Sequence, residues 1–225
     1  MPLSKPLRFA INLGNAMLAT KNAHDELQGL TVELAKKMAD ACGRPCALLP
    51  YPAARRIVDD AGNGQWDIAF LAVDPAREDE LCFTAPYLTI DCTLLVRRES
   101  PLRSVQEMDR DGIIINVGKG AAYSLPLIRL LKRAQLREYP TTQEALQAFL
   151  AGEGDMAANI RLPLEAAAQK DASVRVLGDN YSQIRQAICV PRAAQEHYAF
   201  AAACLQEWRQ DGSLDALIAG TLPHE

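Results

Sequence analysis

A chain of 225 residues with a net charge of −4 and with Lys and Arg dispersed along it offers no basic stripe for nucleic acid or for an anionic membrane surface. Apolar residues make up 49% and charged residues 23%, an ordinary balance for a globular protein, and no run approaches the ~18 apolar residues of a membrane span. The length permits one large domain or two of about 100 residues, each able to bury a core.

Leu7 to Asn12 reads as a short strand, and Leu13-Gly14-Asn15 after it as a turn at the carboxyl edge of a sheet. Thr31 is placed to cap a helix whose apolar positions Leu34, Ala35, Met38, Ala39 and Cys42 recur at helical spacing, with Gly43 closing it. Ala47 to Leu49 is a strand and Ala53 to Asp60 a helix ending at Gly62-Asn63-Gly64. Ile68 to Val73 is a continuous apolar run of the length of a strand buried on both faces. Asp74 then stands at a helix N-cap, with Pro75 at the first helical position and acids at Glu78, Asp79 and Glu80. This βαβαβ order implies a parallel sheet with right-handed crossovers.

Cys92 to Val96 is an apolar run that carries the chain to a second lobe. There Ile113 to Val117 is a buried strand, Gly118 to Tyr123 a glycine-rich turn, and a helix follows to about Arg133 with Leu127, Leu130 and Leu131 inward. Thr141-Thr142-Gln143-Glu144 is a capping box for the helix Ala145 to Ala151. Ala151-Gly152-Glu153-Gly154 before Asp155-Met156-Ala157 echoes Ala61-Gly62-Asn63-Gly64 before Asp67-Ile68-Ala69, as two similar lobes require. Ile184 to Val190 is the return strand, and the helix Ala194 to Arg209 shows Phe200, Ala203, Cys204 and Trp208 on one face. The divisions are therefore 1–95 with 188–225 for one lobe and 96–187 for the other, with the ligand cleft between them. Two crossings make a hinge.

Arg77 follows a buried strand at its carboxyl end, where open α/β sheets bind ligands, and its planar fork matches a carboxylate. Pairing with Glu78 or Glu80 is the plainer alternative. Asp67-Ile68-Ala69, then Pro75-Ala76-Arg77, then Phe83-Thr84-Ala85-Pro86-Tyr87 resembles the extracellular solute-binding protein family 3, the amino-acid-type receptors of ABC importers. The resemblance implies a two-lobed type II periplasmic-binding fold and a ligand carboxylate held by Arg77. It further implies an ABC permease as partner, a monomer, no cofactor and no membrane insertion.

The candidate ligand-binding residues are Arg77, Asn15, Ala72, Asp74, Gly120, Ala121, Ala122, Tyr123, Asn159 and Arg161. The family commonly places Gly-Thr-Thr at the second-lobe turn, where Ala121 and Ala122 leave only backbone donors. Its small hydroxyl residue ahead of the arginine motif is here Ala72. Its amino-acid receptors carry an acid after the second-lobe strand that pairs with the ligand's ammonium, whereas this chain reads Ala158-Asn159-Ile160-Arg161. A carboxylate without the amine, or a dicarboxylate bridging Arg77 and Arg161, fits that pattern better than a standard α-amino acid. Arg161 pairing with Glu165 at i+4, and Tyr123 packing against its helix, are the structural alternatives.

Six cysteines, at 42, 46, 82, 92, 189 and 204, lie mostly in apolar contexts and lack a histidine at zinc spacing, so no metal site is expected. Their number leans toward a reducing compartment. The first eight residues have no apolar core and no small-residue cleavage site. The expectation is a periplasmic protein if an export signal has been removed, and a cytoplasmic one if Met1 is the native start. Two other functions stay open: a cyclohexadienyl or arogenate dehydratase-like enzyme, and a cytoplasmic ligand-sensing relative. No paired carboxylates mark the turns, and His24, His197 and His224 do not follow predicted strands.

Overall fold

The computed structural model describes residues 5–222, so the first four residues of the segment read for an export signal, and His224, lie outside it. The described chain divides into two compact units, 5–88 with 185–222 and 89–184.

The first unit opens with β1 (Leu7–Asn12), a small hairpin of β2 (Thr20–Lys21) and β3 (Leu27–Gln28), and α1 (Leu30–Ala41). It continues through β4 (Cys46–Tyr51), α2 (Ala54–Asp59) and β5 (Ile68–Ala72) to β6 (Leu81–Arg97), which carries the chain into the second unit. The second unit comprises β7 (Ile114–Gly118), α3 (Ser124–Leu130), β8 (Gln135–Tyr139), α4 (Thr142–Leu150), β9 (Met156–Ile160), α5 (Arg161–Lys170) and β10 (Val174–Val176). β11 (Ser182–Pro191) returns the chain, and α6 (Glu196–Gln210) and α7 (Ser213–Thr221) complete the first unit.

Each unit has the same sheet plan. In the first, β4, β1 and β5 run parallel in that order and β11 pairs antiparallel with β5. In the second, β8, β7 and β9 run parallel and the end of β6 pairs antiparallel with β9. The parallel order places the carboxyl ends of three strands at one edge of each sheet, where the candidate residues fall.

The first-unit sheet is covered on both faces, which explains the continuous apolar run of β5. Phe9, Ile11, Ile68, Phe70, Ile188 and Val190 pack with Leu34 and Met38 of α1 and Leu205 and Trp208 of α6. Ala10, Ala69, Leu71 and Cys189 face Ile57 of α2 and Trp66. In the second unit Leu95, Phe149, Ala157, Leu164 and Val174 form a smaller core.

Several local expectations are corrected. Thr31 does not cap α1: Gly29 is the N-cap with φ 116°, and the Thr31 hydroxyl donates to the Leu18 carbonyl at 3.4 Å. The Asp74-Pro75 signal produces only a 3-10 turn, Pro75–Arg77, because β6 begins at Leu81 and claims the following residues. α3 stops at Leu130 rather than Arg133, since the Asp109 carboxylate gathers the N–H groups of Lys132, Arg133 and Ala134 at 2.7–3.1 Å. Leu130, expected inside, is 50% exposed. On α6 the buried face is Ala201, Cys204, Leu205 and Trp208, while Ala203 points outward. The glycine echo is real in conformation: Gly64 and Gly154 turn through φ 62° and 69° ahead of β5 and β9.

Candidate functional site

The first unit offers the carboxyl ends of β1, β4 and β5. After β1, the Asn12 side-chain oxygen accepts the Gly14 N–H at 3.0 Å, and the Asn15 carbonyl accepts the N–H groups of Leu18 and Ala19. This turn lies against the one after β4, for a Cβ on Gly14 would stand 3.0 Å from the Pro52 carbonyl. Asn15 is half-buried, and its side chain makes no hydrogen bond among the described residues.

After β5, the Asp74 carboxylate accepts the Ala76 N–H at 3.0 Å and shapes the turn that presents Arg77. The half-buried Arg77 guanidinium donates through Nη1 to the Ala72 carbonyl at 2.9 Å. Among the described residues it has no carboxylate within 4.0 Å, so the pairing with Glu78 or Glu80 is not formed. Glu78 and Glu80 instead offer their carbonyls to Arg192. A planar cation held at one corner, with its other N–H groups uncommitted, is suited to receive a carboxylate.

The second unit offers the turn after β7. The Gly118 N–H donates to the Tyr123 hydroxyl at 2.8 Å, which donates in turn to Thr142 Oγ1 at 3.2 Å. A Cβ at Gly118 would lie 2.7 Å from the Thr142 nitrogen, so the approach of this turn to α4 admits only glycine. The Lys119 and Ala121 amides are used within the fold, whereas those of Gly120 and Ala122 have no partner among the described residues. Tyr123 is 4% exposed and its carbonyl accepts from the Tyr181 hydroxyl, so the residue braces the turn, as the packing alternative has it. Burial pushes the Tyr123 hydroxyl above the usual tyrosine range.

Asn159, at the end of β9, is buried, with its Oδ1 accepting the Ile160 N–H at 2.8 Å. For Arg161 the structural alternative, pairing with Glu165, is formed. Its guanidinium donates to Glu165 Oε1 at 3.3 Å, to the carbonyls of Leu177, Gly178 and Asp179, and to Asn180 Oδ1 at 2.6 Å. It pins the 177–180 loop to α5. The carbonyls that hold Arg161 lie beyond α5 in sequence, and no local pattern announces them.

Among the described residues the six cysteines are free, and no group of three or more His, Cys, Asp or Glu side chains gathers to hold a metal. Burial raises the Cys92 thiol to about 12, so it is a core side chain rather than a nucleophile. No described helix is long and apolar enough to cross a membrane.

Residues 7–221 match the profile of the bacterial extracellular solute-binding proteins, family 3. The chain belongs to this family. A family 3 relative, the ABC transporter glutamine-binding protein of Bacillus subtilis, is 22% identical over 214 residues, covering 93% of this chain and 78% of its own. A binding component of an ABC transporter from Wolinella succinogenes, complexed with lysine, superposes with a TM-score of 0.80 at 23% identity over 99% of this chain and 97% of that one. The ancestral amino acid-binding protein AncCDT-1, a precursor of cyclohexadienyl dehydratase, reaches 0.73 at 21% identity over 97% and 96%. The family 3 fold is that of the type II periplasmic amino-acid-binding proteins, as the arginine motif implied.

Proposed function

We propose that this family 3 protein is the solute receptor of an ABC importer and binds a small amino-acid-like carboxylate, whose carboxylate group rests on Arg77. The observation that carries this reading is the half-buried Arg77 guanidinium at the carboxyl end of β5, held by the Ala72 carbonyl and unmatched by any acid within 4.0 Å among the described residues. In the same unit the half-buried Asn15 stands at a strand end with its side chain unpaired among the described residues, a further polar group open to such a solute. The family's extracytoplasmic placement supports action in the periplasm, with a permease as partner.

Thermal-shift screening against L-glutamine, L-glutamate, L-lysine, L-arginine and a set of simple carboxylates tests the reading. A ligand at 100 times its Kd stabilises by ~2.7 kcal/mol, an easily measured shift. Wild type responding to none of these carboxylates would remove it, as would an Arg77→Ala variant that binds as tightly as wild type. The curated relatives are binding proteins, which favours a non-catalytic role. The likeness to AncCDT-1 supports dehydratase chemistry as the second reading, and loss of prephenate absorbance on incubation decides it.

A further inference from the structure

One row of the first-unit sheet breaks its own pattern. Ile68 and Phe70 of β5, with Ile188 and Val190 of β11, form an apolar row on one face. Gln186 occupies the next position of that row, directly opposite Ala72 in the β5–β11 pairing. Opposite residues of an antiparallel pair share a face with their Cβ atoms about 5 Å apart. Gln186 therefore stands beside the residue whose carbonyl holds Arg77.

Gln186 is 3% exposed, and its carboxamide has no hydrogen-bond partner among the described residues. A buried amide without partners is unfavourable where a leucine would pack without penalty. The unpaired side-chain atoms sealed from solvent among the described residues are Tyr87 Oη, Asn116 Oδ1 and Ser213 Oγ. The Gln186 amide is not one of them, so its polar atoms keep some accessible surface, beside the residue whose carbonyl holds Arg77. Ala72 is half-buried and carries only a methyl group.

We propose that Gln186 is a ligand-contacting residue of this site, its carboxamide hydrogen-bonding an uncharged polar group of the solute such as an amide or hydroxyl. The inference rests on the reading that Arg77 receives the solute's carboxylate. A neutral group that both donates and accepts matches an uncharged partner of the same kind better than an ion.

Gln186→Leu and Gln186→Glu, titrated with L-glutamine, L-glutamate, L-lysine and L-arginine beside wild type and Arg77→Ala, test this. Gln186→Leu is expected to melt no lower than wild type without ligand, yet to lose at least tenfold in affinity for the best-bound amino acid. Gln186→Glu is expected to move the preference from L-glutamine toward L-lysine. In wild type the Gln186 side-chain NH2 resonances, assigned by their loss in Gln186→Glu, are expected to shift on saturation, a readout independent of how Gln186→Leu folds. Wild-type affinity retained in Gln186→Leu, or unmoved NH2 resonances in saturated wild type, overturns the inference and leaves the Arg77 reading standing. Wild type binding none of the four overturns the assignment of Gln186 along with the amino-acid reading.

Discussion

Asp67 and Asp155 make the same clasp in the two units. The Asp67 N–H donates to the Arg8 carbonyl at 2.9 Å while its carboxylate accepts the Arg8 N–H at 2.9 Å. The Asp155 N–H donates to the Ile114 carbonyl at 2.8 Å while its carboxylate accepts the Ile114 N–H at 2.8 Å. In each unit the aspartate before the third parallel strand locks onto the first strand and sets the register of the pair that ends at the candidate residues. The clasps differ in charge. Asp67 also binds the Arg8 guanidinium, with a 2.6 Å contact to Nη2, and has His197 Nε2 at 3.9 Å.

That difference predicts unequal pH dependence. Burial pushes the Asp67 carboxyl up, but the side-chain and backbone bonds from Arg8 outweigh it and hold the carboxyl below its usual range. A depressed carboxylate contributes stability that is full above the unfolded value, ~4, and is lost as pH falls through the lower folded value. Asp67→Asn should therefore cost about 1–2 kcal/mol at neutral pH and flatten the acid limb of stability. Asp155→Asn should cost under ~1 kcal/mol. Urea unfolding between pH 3 and 7 measures both.

Arg77→Ala should weaken binding of the preferred solute by 2–5 kcal/mol by rough estimate, since it strips the partner from a carboxylate. Only the bond to the Ala72 carbonyl is lost from the free protein, so its melting temperature should stay nearly unchanged. Calorimetric titration beside thermal melting separates the two effects.

Arg161→Ala should behave in the opposite way. Its guanidinium serves the 177–180 loop, so removal should destabilise the second unit by about 1–3 kcal/mol and leave solute affinity close to wild type. Faster amide hydrogen exchange at Leu177 and Tyr181, whose N–H groups bond to β6 carbonyls, is the expected signature.

Tyr123→Phe leaves the buried Gly118 N–H without its acceptor and Thr142 without its donor. A loss of about 1–3 kcal/mol in stability is expected. Chemical denaturation measures it. An unaltered midpoint would show that the turn is held by other bonds.

Much of this protein was legible in its residues taken in order. The glycine pairs ahead of Asp67 and Asp155 and Thr141 with Glu144 are local patterns, and the structure realises them because they need only neighbouring backbone. The stretch around the arginine motif resembles family 3, and the family profile bears that resemblance out. The lengths of the helices after Asp74 and Tyr123 were not legible in the same way. Each is set by a competitor outside the local pattern, the start of β6 in one case and the Asp109 carboxylate in the other.

The candidate residues divide on the same principle. Sequence by itself determined which side chains stand at the strand ends, since alternation and turn chemistry are short-range. Tertiary structure alone decided which of them are free to act. Arg77 and Arg161 are the same residue type after similar strands, yet one retains uncommitted donors and the other spends its own on a loop sixteen to nineteen positions further on. A guanidinium goes to whatever acceptors the packed chain brings within reach, and that proximity is a property of the fold.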